Sequence, residues 1–275
     1  MNKERADKIL VERRLADSHQ KAQALIMAGL VFSGEQRIEK PGQLVALDQE
    51  VFIHKPFPYV SRGGLKLEEA LDTLQISVTG KIAADIGSST GGFTDCLLQR
   101  GAAKVYAVDV DTRQIDCRLR EDPRVVLIEK NARFLVRADF PDLLDFVTMD
   151  VSFISILKIF PVLKDILSRR RDSGQGAGRG PALLLSLIKP QFEVGKGQVG
   201  KKGIVRDAAL HEEVLHNITS EAAALGFKLR GLMKCAVRGQ KGNREFFGLW
   251  VLEGLPAAGQ DVLKWIKEVA RDEKN

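Results

Sequence analysis

The 275-residue chain has only three cysteines, Cys96, Cys117 and Cys235, far apart and odd in number. That excludes a disulfide framework, and no Cys-x-x-Cys spacing offers a zinc site or a redox dithiol. The thiols read as reduced, and most of them as packing residues, in a cytoplasmic protein. Long apolar runs are missing too: nothing approaches the roughly 18 uninterrupted apolar residues of a membrane-spanning helix. The opening MNKERADKIL is charged from the start and lacks the apolar stretch of a secretory signal. The expectation is a soluble, cytoplasmic globular protein.

What is present fits that class, with 44% apolar and 28% charged residues. The formal net charge is +6, an excess that raises the prospect of a polyanionic partner such as nucleic acid without proving one. Two Gly-rich basic stretches, SRRRDSGQGAGRG at 168–180 and KPQFEVGKGQVGKKG at 189–203, read as mobile loops. The first is equally readable as a solvated loop or as an RNA contact. His54, His211 and His216 fall where a structural or solvated histidine is the better reading, so no histidine base is nominated.

Residues 1–58 form a unit with its own pattern. RADKILVERRL is an amphipathic helix, and Ser18 is an N-cap for the helix HQKAQALIMAG, which Gly29 stops. LVFSGEQRI and QLVALDQEVFIHK are strand-like and are separated by the Pro-Gly turn in EKPGQ, so two helices and a small hairpin are expected. Arg5, Asp7, Leu10, Val11, Ser18, the helix exit ALIMAGLV and the KPG turn together resemble the RNA-binding module first known from a small-subunit ribosomal protein, the S-four fold. That resemblance implies RNA contact through the helical pair, with Arg5, Lys8, Arg13, Arg14, His19 and Lys21 as candidates. KPFPYVSRG reads as a semi-rigid connector. Residues 59–80 are taken as linker plus a first catalytic helix, and 81–275 as the catalytic domain.

From about residue 80, strands and helices alternate as in a doubly wound sheet. KIAADIG, KVYAVDV, RVVLIEK, DFVTMDVSF and PALLLSLIKP read as five strands, followed by a long helix and the pair FKLRGLMKCAV and REFFGLWVLE. Seven strands ending in a hairpin match the Rossmann-like class I methyltransferase plan better than the dehydrogenase one. The fold class expected is therefore α/β, a seven-stranded mostly parallel sheet with a small N-terminal α+β domain.

The loop DIGSSTGGFT, Asp85 to Thr94, joins the first of those strands to its helix. Its glycines let backbone approach a ligand, and the helix start offers free N–H groups. It is not G-x-G-x-x-G, and an acid at the strand end suits a cationic ligand such as S-adenosylmethionine rather than a pyrophosphate. Asp85, Gly87, Ser88, Gly91, Gly92, Phe93 and Thr94 are candidates there. Asp109, ending the next strand, is placed for ribose hydroxyls, Asn131 for adenine, and Asp150 for the cofactor or the chemistry.

Asp150 ends one strand in VTMDVSF, Lys189 ends the next in LLLSLIKPQFE, and Glu245 opens the last in NREFFG. Lys66, in SRGGLKLEEAL, sits beside a helix stripe of Leu67, Ala70, Leu71 and Leu74 and on periodicity alone reads as a lysine covering apolar surface. In chain order the four are Lys-Asp-Lys-Glu. That order, with SRGGLKL, DIGSSTGGFT, DVSFIS and KPQFE, resembles the FtsJ-like RNA 2′-O-methyltransferases, and across the whole chain the TlyA-type (haemolysin A-like) rRNA methyltransferases. The resemblance implies 2′-O-methylation of ribose in ribosomal RNA, of cytidine in particular. Lys189 is then nearest the attacking oxygen, Asp150 and Glu245 orient the amines, no metal is required, and Arg62 shapes the RNA entrance. Two other readings stand beside it, a non-catalytic ribosome-binding or assembly factor and a haemolysin.

Overall fold

A computed structural model of the protein describes residues 3–27, 29–34, 36–53, 58–172, 180–195, 198–200, 203–239, 242–252 and 259–271. His54, residues 55–57 of the connector, 173–179 of the first basic stretch and 196–197 and 201–202 of the second lie outside the described residues. Two compact units divide the chain, Met1–Pro58 and Tyr59–Asn275.

In the first unit, β1 (Lys3–Arg5) leads into α1 (Ala6–Glu12), then come α2 (His19–Met27), β2 (Val31–Ser33), β3 (Gln36–Arg37), β4 (Leu44–Ala46) and β5 (Val51–Ile53). The amides of Ala6 and Asp7, unpaired within α1, donate to the carbonyls of Gln43 and Pro41, so the Pro-Gly turn caps the helix. Ser18 Oγ accepts from the Lys21 amide at 3.2 Å, which caps α2. Ile9, Leu10, Ala22, Ile26, Val31 and Val51 build a small core. The strands differ from a single hairpin. Each strand-like stretch splits in two: β4 pairs with β1, while β2 pairs with both β3 and β5. The reason is local, since the first stretch reverses at Gly34, which has φ +58, and the second bends where Gln49 N returns to Ala46 O.

The second unit begins with α3 (Arg62–Thr73) and continues β6 (Ile82–Ile86), α4 (Gly92–Gln99), β7 (Lys104–Asp109), α5 (Cys117–Arg120), β8 (Val125–Glu129) and β9 (Phe146–Met149). It closes with α6 (Phe160–Asp172), β10 (Leu183–Ile188), α7 (Pro190–Glu193), α8 (Ala208–Ala224), β11 (Phe227–Lys234), β12 (Phe246–Leu252) and α9 (Gly259–Ala270). Helix α6 runs through Asp172, so Ser168 to Asp172 are helical rather than part of a loop, and Pro190 at its first position starts a helical turn within the second basic stretch.

The seven strands lie in the order β11-β12-β10-β9-β6-β7-β8, all parallel except β12. Both faces are covered. Along β12, Phe246, Trp250 and Leu252 join the core under α6, α8 and α9, while Phe247 and Leu249 join the core under α3 and α4. This period of two on a doubly covered sheet is why the strands read as continuous apolar runs. Cys96 and Cys235 are buried, and burial pushes both thiols up to about 12, which suits packing rather than reactivity.

Candidate active site

The strand order reverses between β6 and β9, and in open α/β sheets ligands bind outside the carboxyl ends of the strands at such a point. Register then decides what meets there. Ile86 pairs with Met149, so the next residues, Gly87 and Asp150, emerge side by side. Ile188 pairs with Phe246 across antiparallel strands, so Lys189 leaves β10 where Glu245 enters β12. Only an antiparallel β12 could bring the start of a strand to the edge where its neighbours end.

Lys66 arrives from the other side. Residues 59–61 are tied to the helices, with Val60 N donating to Asp95 Oδ2 and Tyr59 Oη to Glu68 Oε1, both at 2.8 Å. A Cβ on Gly64 would stand 2.2 Å from the Tyr59 ring, and one on Gly92 would stand 2.2 Å from Ser61 Oγ. Glycine at both positions lets the starts of α3 and α4 pack at backbone distance. Leu67, Ala70 and Leu71 bury the inner face of α3, and Lys66 turns toward the strand ends.

The result is a cavity of about 420 Å³ into which Lys66, Asp150, Lys189 and Glu245 all face, with Arg62, Gly87, Ser88, Gly92 and Phe93 also in its wall. Lys66 Nζ donates to Glu245 Oε2 at 2.6 Å, with the two side chains 12% and 2% exposed. Lys189 Nζ lies 2.5 Å from Asp150 Oδ1, an ion pair outside hydrogen-bond geometry, and donates to Ser152 Oγ at 2.9 Å. Two cation–carboxylate pairs therefore share one pocket. Besides Asp150 Oδ1, two polar atoms of wall residues, Ser88 Oγ and Gln191 Oε1, are buried and have no hydrogen-bond partner among the described residues. Buried polar atoms left open at a cavity mark where a ligand's own groups belong. A hydroxyl and an amide oxygen suit the ammonium of an amino-acid moiety such as that of S-adenosylmethionine.

Five cofactor candidates do not face this cavity. Asp85 is fully buried; its carboxylate accepts from Thr94 Oγ1 at 2.7 Å and Thr148 Oγ1 at 3.1 Å, which ties β6 to α4 and β9. Burial is the main cause that pushes Asp85 up to about 7, opposed by those hydroxyls and helped by the nearby Asp150 carboxylate. Thr94 is thereby spent on Asp85. Gly91, with φ +94, fits against Leu119 and Ile115 instead. Asp109 accepts from the amides of Ser89 and Asp111 at 2.8 and 3.2 Å, holding the glycine loop against β7. Asn131 caps a 3₁₀ turn through the Arg133 amide.

The RNA candidates divide in the same way. Arg5 makes a two-point pair with Asp7, at 3.0 and 2.7 Å, and Arg13 donates to the carbonyls of Gln49 and Leu47, so both are structural braces. Asp7 is 2% exposed, and the Arg5 bonds hold its carboxyl at about 2. Lys8 pairs loosely with Glu4 at 3.6 Å, and Arg14, His19 and Lys21 are exposed, as is Arg62. His211 is buried and structural, with its Nε2 3.1 Å from the Val205 carbonyl.

Sequence reasoning missed Ser61, Ser152, Gln191, Phe153 and Phe192 in the cavity wall. Phe153 is 90% exposed, adopts φ +64 and packs its ring 5.1 Å from that of Phe192. A left-handed backbone under an exposed phenylalanine is an uncommon combination, of the kind that clusters at functional sites.

Comparison with known proteins gives consistent matches. Residues 59–250 match the FtsJ-like methyltransferase family, and residues 4–51 match the S4 domain. The rRNA methyltransferase YqxC of Bacillus subtilis, so named provisionally, is 48% identical over 89% of this chain and 84% of its own. The 16S/23S rRNA (cytidine-2′-O)-methyltransferase TlyA of Mycobacterium tuberculosis is 40% identical over 90% of this chain and 89% of its own. A solved Streptococcus thermophilus structure, described provisionally as a hemolysin, superposes with TM-score 0.72 at 40% identity, covering 98% of this chain and 95% of that one.

Proposed function

This chain belongs to the FtsJ-like methyltransferase family and carries an S4 domain, and on that premise we propose that it methylates ribosomal RNA at the 2′-hydroxyl of a cytidine ribose, using S-adenosylmethionine. The observation that carries this reading is the convergence of Lys66–Glu245 and Lys189–Asp150 on one cavity beside the glycine loop. A ribose hydroxyl is a weak nucleophile and needs a nearby group to take its proton or to stabilise the alkoxide as it forms.

S-adenosylmethionine, when bound, supplies a methyl group made electrophilic by the sulfonium. Ser88 and Gln191 would hold its amino-acid end, with the glycine loop of Gly87 and Gly92 beneath it. Asp109, at the end of β7 and outside the cavity wall, would meet the ribose hydroxyls where the cofactor extends past the glycine loop, with the lone pairs its two amide bonds leave free. Lys189 Nζ, fixed by Asp150 and Ser152, would direct its remaining donor capacity at the 2′-oxygen. The hydroxyl proton would pass to the Asp150 carboxylate of that pair and from there to solvent. Lys66, anchored by Glu245, adds a second cation to the same side of the pocket. Phe153, backed by Phe192, offers an exposed ring on which the base of the target nucleotide can stack once turned out of its helix. For the membrane-active reading suggested by some relatives' names, no helix among the described residues is long and apolar enough to cross a membrane.

The test is transfer of tritiated methyl groups from S-adenosylmethionine to ribosomal subunits from a host lacking this protein. Wild type should label them, and the product should be 2′-O-methylcytidine on nuclease digestion. Lys189→Ala should lower the rate by roughly 10²–10⁴-fold while still binding S-adenosylmethionine. Absence of label with the wild-type protein overturns the reading.

A further inference from the structure

A second cavity, of about 410 Å³, lies beside the loops that lead into α8 and β12. Its wall contains Arg206, Arg238, Arg244 and His211 and, among the described residues, no carboxylate. Through Ile204, Val205 and Arg206 it continues into a neighbouring hollow of about 450 Å³. The acid there, Asp207, accepts from the Ala209 amide at 2.9 Å as the cap of α8.

The arginines stand on a braced frame. Val205 N donates to Asn243 Oδ1 at 3.2 Å, and the Val205 carbonyl accepts from His211 Nε2 at 3.1 Å. Asn243 Nδ2 donates to the Gly203 carbonyl at 3.0 Å. Asn243 and His211 are only 3% and 1% exposed, and burying an amide and an imidazole is costly unless their bonds hold something in place. What they hold is the pair of loops carrying Arg206, next to Val205, and Arg244, next to Asn243. Arg238 makes one long bond, 3.4 Å, to the Gly242 carbonyl. No described acid pairs with Arg206 or Arg238. Like charges gathered on a rigid frame repel one another, and an anion is what offsets that cost.

Guanidinium forks match phosphate oxygens in shape and charge. The chain also sets where such an anion would come from. Arg244 immediately precedes Glu245 of the catalytic pocket, and the loop carrying Arg206 starts where α7, with Gln191 and Phe192 of the same pocket, ends. We propose that this arginine cavity binds a backbone phosphodiester of the substrate RNA strand, close to the nucleotide held for methylation. The proposal rests on the RNA-methylation reading above and adds to it a site that fixes the strand.

The test measures salt dependence of binding. Full-length wild type and Arg206→Gln/Arg238→Gln are compared by filter binding to unmethylated ribosomal RNA between 50 and 200 mM NaCl. Each lost phosphate contact flattens the plot of log K against log salt by about 0.7 on a single strand, so the double variant should lose about 1.4. Its KM for RNA should rise roughly tenfold, with S-adenosylmethionine affinity unchanged. Arg206→Lys/Arg238→Lys should keep most of the slope. Arg206 is exposed, so Arg206→Gln alone, which leaves the buried frame intact, should lose about 0.7 and guards against a folding defect. An unchanged slope in both Gln variants overturns the proposal. Stabilisation of wild type by inorganic phosphate, with no slope change in the variants, also overturns it, because the site would then serve free phosphate. Wild type that binds RNA with the expected slope but transfers no methyl group would sink the methylation reading instead and leave the phosphate site standing.

Discussion

Lys66 and Glu245 meet at 2.6 Å with side chains 12% and 2% exposed, so neither can be removed without stranding the other. Lys66→Ala alone leaves a buried carboxylate without its cation, a loss of about 3 kcal/mol of stability whatever Lys66 does in catalysis. The pair must be removed together to separate the two effects. Lys66→Met/Glu245→Gln should melt within a few degrees of wild type, because an apolar group and a neutral amide fill the same space. It should still methylate at least 10²-fold more slowly, measured by single-turnover transfer. Recovery of wild-type rate in the double variant would return Lys66 to the role of a surface lysine. Asp85 gives a second test at this scale. Its folded pKa is raised above the unfolded 3.8 to about 7, so its neutral form contributes stability that is present below pH 4 and lost as pH rises through 7. Relative to wild type, Asp85→Asn should gain stability between pH 5 and pH 8, by about 3 kcal/mol at most. Urea unfolding followed by tryptophan fluorescence measures it, and an equal pH profile for both proteins refutes it.

At the scale of elements, the sequence was most legible where a strand is buried on both faces. LLLSLI and FFGLWVL cannot be read as half-exposed, and they became β10 and β12, neighbours inside the sheet with both faces covered. The ionisable residues that end such runs stand out for the same reason, which is how Asp150, Lys189 and Glu245 could be found. Strands of two or three residues, such as β2 to β5, are too short for a period of two to register, so their pairing had to come from the fold. Asp85 misled because a strand-end acid looks open to a ligand in one dimension. In three dimensions Thr94 and Thr148 close over it. Gln191 and Phe153 gave no signal at all, since a glutamine or a phenylalanine next to a motif is ordinary in type. Only the unpaired oxygen of the first and the exposure of the second distinguish them.

At the scale of the whole molecule, the two units have their own cores, and only the second contains tyrosine or tryptophan: Tyr59, Tyr106, Trp250 and Trp265. A chain of residues 59–275 should therefore keep the tryptophan-detected unfolding transition. It should bind S-adenosylmethionine within about twofold of the full chain by calorimetry, and bind ribosomal RNA at least roughly tenfold more weakly by filter binding, having lost the exposed Arg14, His19 and Lys21. Equal RNA affinity in both chains would deny the S4 domain a part in recognition.

The place of β12 in the sheet also governs the order in which the enzyme becomes an enzyme. It inserts between β10 and β11, although both precede it in the chain, and it brings Glu245 with it. During synthesis, Lys66, Asp150 and Lys189 emerge long before their fourth partner, and the edge of β10 waits unpaired until Phe246–Leu252 has left the ribosome. A nascent chain thus carries no finished pocket until Phe246–Leu252 has paired with β10 and brought Glu245 beside Lys189.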